Sequence, residues 1–191
     1  EMCSIPGRGE PPPLIVVVGS GKTAMDVIYN LAKKLPESRG RLRCVAGRGT
    51  WFINRDMCVH DGVYAGNNAG SSFAARHYKQ IYEEYDRTNK DLVLAKLAAS
   101  NFVHSPLQDP KSFAGGVLSM EEASVVRTAL EPHERNVFQG CYLNRVRGGP
   151  DGPCLELRST SGQITSLPVP RGSFLINCTS NVNNSHTSWK P

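Results

Sequence analysis

The residues with the clearest chemical potential are six in a row, Gly19-Ser20-Gly21-Lys22-Thr23-Ala24, placed where the apolar run Leu14-Ile15-Val16-Val17-Val18 ends. Two glycines separated by one residue, with a small residue three further on, form the turn by which a strand enters a helix around the diphosphate of a dinucleotide. In that pattern Gly19 lets the strand turn sharply, Gly21 removes a side chain that would block the diphosphate, and Ala24 lets the helix pack closely on the strand. The anion would rest at the helix N-terminus, against backbone N–H groups and the positive end of the helix dipole. Gly-Ser-Gly-Lys-Thr also ends like a P-loop, but that loop needs a further glycine where this chain has Val16, in the middle of the apolar run. The same letters also fit a strand-to-helix turn that binds nothing.

The elements needed to position such a turn are legible on either side of it. Ala24, Val27, Ile28, Leu31, Ala32 and Leu35 recur at helical spacing, and Pro36 with Gly40 ends the helix. Leu42 to Ala46 reads as a second parallel strand and completes a βαβ unit. The tip of that second strand faces the adenosine ribose, where an acidic residue suits NAD and an arginine suits NADP. Here the tip is Ala46-Gly47-Arg48-Gly49, with no carboxylate, and the forked guanidinium of Arg48 could pair with a 2′-phosphate. Its alternative is a solvated loop cation. Tyr29 and Lys33 have the Tyr-x-x-x-Lys spacing of a dehydrogenase pair, but they fall inside the first helix, where they cannot be one.

Further along, Pro6, Gly7, Gly9 and Pro11-Pro12-Pro13 make residues 1–13 a linker. Residues 71–100 turn helical, with Phe73, His77, Ile81 and Tyr85 on one stripe and Leu92, Val93 and Leu97 on another. His77 on that apolar face reads as a hydrogen-bonded core histidine rather than a catalytic one. Residues 101–117 read as loop, and Ser119 with Glu122 as a capping box for a helix running to about Leu130. Asn136–Val146, Cys154–Ser159 and Gln163–Val169 read as short antiparallel strands separated by Gly-rich turns, and Phe174–Thr179 as a closing buried strand. The fold class expected is α/β: a Rossmann-like parallel sheet with an added helical segment and a small antiparallel β meander. Its domain spans 14–180, with the helical insertion at about 71–131, the meander at about 136–169, and a flexible tail at 181–191.

Composition narrows the class of protein. A chain of 191 residues, 39% hydrophobic and 20% charged, suits a globular domain with a real core. No apolar run approaches the ~20 residues of a membrane helix. The net charge of +5 is scattered rather than gathered in a stripe with interleaved aromatics, which argues against nucleic acid and fits a mild attraction to a polyanionic cofactor. Six cysteines, with no Cys-x-x-Cys pair and no histidine at zinc spacing, read as reduced and mostly buried thiols of a cytoplasmic protein. Asn177-Cys178-Thr179 and Asn183-Asn184-Ser185 match glycosylation acceptors by chance in that setting. No nucleophile triad, metal site or paired-carboxylate site has the required spacing. The first residue is glutamate, and the chain reads as a piece of something longer.

Val18-Gly19-Ser20-Gly21-Lys22-Thr23-Ala24-Met25-Asp26, then Arg48, Trp51-Phe52-Ile53-Asn54-Arg55 and Ile176-Asn177-Cys178-Thr179, resemble the NADP-binding region of FAD- and NAD(P)-dependent oxidoreductases related to flavin-containing monooxygenases. The resemblance is most specific over residues 14–55 and returns over 115–180. It implies a nested pair of dinucleotide-binding domains, in which an NADPH domain is inserted into an FAD domain and a small meander leads to a strand, here Phe174–Thr179, that returns to it. On that basis the cofactors are NADPH and, in the complete protein, FAD held by a segment missing from this chain. The implied chemistry is hydride transfer from nicotinamide to flavin. Gly19, Ser20, Gly21, Lys22, Thr23 and Ala24 match the phosphate turn, and Arg48 the 2′-phosphate arginine. Trp51, Asn54 and Arg55 match a segment of that family, where they either serve a function that their types do not specify or merely pack, and Asp26 reads as a stabilising charge in the first helical turn. The alternative function is a non-catalytic dinucleotide sensor or interaction protein on the same scaffold.

Overall fold

A computed structural model of the chain describes residues 11–58, 79, 81, 83–86, 88–149 and 152–179. The β-branched run becomes strand β1 (Ile15–Val18), buried at all four positions. Helix α1 (Lys22–Lys34) follows, and Pro36, which cannot continue a helix, opens a 3-10 turn over Pro36–Arg41. Strand β2 (Leu42–Gly47) then lies parallel to β1, with Ile15 opposite Leu42 and Val18 opposite Val45. The chain continues through β3 (Thr50–Asn54), the short helix α2 (Arg55–Cys58), helix α3 (Lys90–Ala99), β4 (Val103–His104), β5 (Ser112–Leu118) and helix α4 (Met120–Ala129). After the short helix α5 (His133–Asn136) come β6 (Val137–Gln139), β7 (Cys141–Arg147), β8 (Cys154–Ser159), β9 (Ile164–Pro168) and β10 (Phe174–Asn177).

These strands make three sheets. The central one is parallel throughout, in the order β10-β1-β2-β6. Because successive side chains of a strand point to opposite faces, β1 feeds two cores. Ile15 and Val17 join Ala24, Met25 and Ile28 of α1 and Ala123 and Val126 of α4 on one face. Val16 and Val18 join Val45, Leu155, Leu157 and Val169 on the other, where the antiparallel meander β7-β8-β9 covers the sheet. A third sheet, β4-β3-β5, packs Ile53 and Val103 against Val93 and Leu97 of α3. The fold is thus α/β, with a four-stranded parallel sheet, a small antiparallel meander and several helices. Among the described residues no helix is long and apolar enough to cross a membrane.

Four expectations are corrected. Residues 101–117 are not all loop: Ser112–Leu118 pairs in parallel with Thr50–Asn54, a strand that sequence reasoning also passed over, and Val103–His104 pairs antiparallel with it. The expected strand Asn136–Val146 is two strands broken at Gly140, whose φ of 75° bends the chain from the parallel sheet into the meander. Leu92 is 59% exposed, and the buried stripe of α3 is Val93, Leu94 and Leu97. Strand β10 lies beside β1 but at the sheet edge, so Phe174 is 60% exposed instead of buried. Phe73 and His77 lie outside the described residues.

The capping box forms as read. Ser119 Oγ accepts the Glu122 N–H at 3.1 Å, and Glu122 Oε2 accepts the Ser119 N–H at 2.8 Å. The Glu122 carboxylate also meets Arg55 Nη1 at 3.2 Å and Lys22 Nζ at 3.7 Å, so one acid joins α4 to α2 and to the start of α1. Partial burial pushes its carboxyl upward. The Ser119 N–H and the charges of Lys22 and Arg55 outweigh that and hold it below the ordinary glutamate value. Ser119→Ala is expected to cost about 1 kcal/mol in urea unfolding. A folded-state value below the unfolded one means that this acid stabilises the fold above the unfolded carboxyl pKa of ~4.3 and that the contribution is lost as pH falls through the lower folded value. Glu122→Gln should therefore be less stable than wild type at neutral pH and converge on it in acid. A stability gap independent of pH would contradict the charge argument.

Candidate functional site

The glycine turn sits at the carboxyl end of β1. Gly19 has φ 127°, a conformation that side chains rarely adopt, and its N–H donates to the Val45 carbonyl at 2.9 Å. A Cβ at this position would lie 2.9 Å from the backbone oxygen of Cys178, just past the end of β10. Here glycine is demanded by the fold itself, through both the turn and the close approach of a neighbouring strand.

Gly21 differs in every respect. As N-cap of α1 it has φ −78° and ψ −178°, ordinary extended backbone, and a Cβ built on it would meet nothing within 4 Å. No side chain caps the helix and no acid stands in its first turn. The first helical bond runs from the Met25 N–H to the Gly21 carbonyl at 3.2 Å, so the N–H groups of Lys22, Thr23 and Ala24 have no carbonyl partner within the helix. The result is an open, positive, uncapped helix start.

The remaining turn residues have varied surroundings. Ser20 Oγ and Thr50 Oγ1 lie 3.1 Å apart, which ties the turn to β3. Thr23 is exposed and Ala24 fully buried against the sheet. Lys22 presents its backbone N–H at the helix start, but its ammonium is bonded to Asp26 and lies near Glu122. Asp26 is the fifth residue of α1, beyond the first turn; it serves as the partner of Lys22 and not as the charge at the helix start that its position had suggested.

Arg48 lies in the connection from β2 to β3, at the same end of the parallel sheet as Gly19, where α/β sheets take their ligands. Its carbonyl accepts the Lys111 N–H at 2.8 Å, and the neighbouring Gly49 N–H donates to Ala46 at 2.9 Å. The guanidinium is exposed and has no acceptor among the described residues, and Arg48 forms part of the rim of a cavity of about 410 Å³. Thr50, hydrogen-bonded to Ser20, is two residues further on, which places the Arg48 backbone roughly 7 Å of chain from the glycine turn's partner.

The other residues singled out from sequence have structural surroundings. Asn54 is buried; its Nδ2 donates to the Asn101 carbonyl at 3.1 Å, its Oδ1 accepts the Asp56 N–H at 3.1 Å, and Trp51 packs on the cluster around Ile53. Arg55 is the partner of Glu122 described above. Tyr29 and Lys33 do lie within α1, where Lys33 meets Glu121 at 3.1 Å, and that hydrogen bond raises the Lys33 pKa. Cys44 is fully buried beneath the turn, and burial, with a lesser effect of Cys178, pushes its pKa to about 12, so it stays a thiol. Cys141, Cys154 and Cys178 are also free. Sequence reasoning missed Thr50 and read Glu122 only as part of the capping box; their contacts with the turn join residues far apart in the chain and leave no local signal.

No protein-family model matches the chain, and no curated protein does. Among solved structures it is similar to L-lysine 6-monooxygenase from Pseudomonas syringae, over 90% of this chain and 36% of that one, with 14% identity and a TM-score of 0.42. It is similar to the ornithine N-hydroxylase of Kutzneria sp. 744, in a structure with reduced FAD, NADP+ and L-ornithine, over 86% of this chain and 35% of that one, with 13% identity and a TM-score of 0.42. Ornithine hydroxylase from Pseudomonas aeruginosa matches over 92% of this chain and 38% of its own, with 11% identity and a TM-score of 0.45. The chain spans a little over a third of the length of these structures.

The two glycines respond to substitution in opposite directions. Gly19→Ala is expected to cost on the order of 1–3 kcal/mol, from the strained φ and the clash with Cys178. Gly21→Asp supplies a good N-cap and a negative charge at the helix start, and should raise stability by about 0.5 kcal/mol. Urea unfolding of both variants checks the pair; loss of stability in Gly21→Asp would mean that the helix start is not open.

Proposed function

We propose that this chain is the NADPH-binding module of a flavin-dependent, monooxygenase-like oxidoreductase whose FAD is held by a segment outside the chain. The observation that carries the reading is Gly21. The fold does not require a glycine there, yet a side chain would occupy the space in front of three helix N–H groups, where a diphosphate would bind. In this reading the coenzyme's diphosphate lies across Gly19 to Ala24. Ser20 and Thr23 flank it, the Lys22 backbone donates to it, and the Lys22 ammonium stays with its carboxylates. Arg48, whose guanidinium is exposed, takes the 2′-phosphate by charge-assisted hydrogen bonds.

The residues present fit one dinucleotide. Bound NADPH supplies a hydride, and the chain's part is to grip the phosphates and aim the nicotinamide. The flavin half of the reading comes from the resemblance over residues 14–55 and 115–180. The exposed Phe174 and Leu175 on edge strand β10 agree with it, since a neighbouring domain would cover such apolar surface.

Calorimetry with the isolated chain tests the reading. NADPH should bind in the micromolar range, FAD should not be retained, and Gly21→Asp should abolish NADPH binding although it stabilises the fold. Arg48→Ala should weaken NADPH by about tenfold or more while leaving NADH nearly unchanged. Equal losses for both coenzymes would remove Arg48 from the 2′-phosphate, and tight FAD retention by this chain would overturn the domain assignment.

A further inference from the structure

The cavity beside Arg48 has walls that the coenzyme reading does not use. Its floor is aliphatic: Val93, Leu94 and Leu97 of α3, together with Ile81. Among the described residues two aromatics border it, Tyr85 at 45% and Phe113 at 38% exposure, so both keep a surface that an occupant would cover. Its volume of about 410 Å³ lies in the range of small-molecule sites.

The charged lining residues are Arg48 and Lys90, and the backbone of Lys111 bonds to both. The Lys111 N–H donates to the Arg48 carbonyl at 2.8 Å, while Lys90 Nζ donates to the Lys111 carbonyl at 2.6 Å. Lys111 thereby joins the backbone of Arg48 to the ammonium of Lys90. The Lys90 ammonium has three N–H groups, of which one goes to that carbonyl. Lys111 itself turns its ammonium to Asp109 at 2.5 Å. Among the described residues no carboxylate or carboxamide lines the cavity; besides the cations, its polar side chains are the hydroxyls of Ser112 and Tyr85, so no anionic group there would pair with a cationic ligand.

We propose that this cavity is a second ligand site, for an amphipathic monoanion such as a medium-chain carboxylate, whose head group lies between Arg48 and Lys90 and whose tail lies on the α3 floor. The site stands on its own geometry. Only its competition with coenzyme rests on the reading above, because both would draw on Arg48.

Titration calorimetry with sodium decanoate, kept below its micellar range, tests it. Saturable binding at one site is expected, weakened at least about tenfold by Arg48→Ala and likewise by Lys90→Ala, each a loss of one charged contact. Decan-1-ol, which has the same tail without the charge, should bind at least as much more weakly. Absent saturable binding, equal affinity for the alcohol, or indifference to both substitutions would overturn the proposal. NADPH should displace decanoate where NADH does not. Decanoate binding that depends on Arg48 and Lys90 but withstands NADPH would keep this site and remove Arg48 from the coenzyme. NADPH binding without decanoate binding would do the reverse.

Discussion

Strand β1 must be apolar on both faces, and the rest of the architecture is arranged around that demand. A strand in the middle of a parallel sheet has no solvent side, so Ile15 and Val17 need a helical layer and Val16 and Val18 need a second cover. Helices α1 and α4 supply the first and the meander supplies the second. With both faces closed, the open region of this sheet lies beyond the carboxyl ends of its strands, and Gly19 and Arg48 are both there. The placement of the candidate site is therefore a consequence of how the core is closed.

Within the site, the two glycines of one short motif answer to different masters. Gly19 is fixed by the protein's own backbone, through a positive φ and contact with Cys178, and its identity says little about ligands. Gly21 is under no such internal constraint, which is why it carries the functional reading. The lysine between the two halves of the turn shows the converse. Its position invites assignment to a phosphate, but Asp26 and Glu122 already hold its ammonium.

What could be read from sequence was what local chemistry determines. The β-branched run, the helix stopped by Pro36, the second strand at Leu42 and the Ser119–Glu122 box each depend on neighbours within a few residues, and each is present. Strand β5 was illegible because Ala114-Gly115-Gly116 has poor strand propensity and interrupts the register, while Ser112, Phe113, Val117 and Leu118 on either side pair with Thr50–Asn54, far back in the chain. The break at Gly140 was hidden inside a continuous strand-like pattern, since a glycine alone does not say which sheet each side will join. The glycine turn was visible as a motif, whereas the bonds that orient it, Ser20 to Thr50 and Lys22 to Glu122, depend on tertiary contacts that no spacing rule encodes.

Cys44 lies in the middle of β2, fully buried and close under the turn, with its sulfur 3.5 Å from the Gly19 carbonyl. A thiol whose pKa is near 12 is almost entirely protonated at neutral pH, and in this position it is also shielded from reagents. That side chain packs in the core between the sheet and helices α1 and α4, so its labelling rate reports the opening of that layer. The half-exposed thiols at Cys141, Cys154 and Cys178 would react on a different timescale. The molecule thus contains a natural pair of clocks, one for its surface and one for the breathing of the layer that supports the turn.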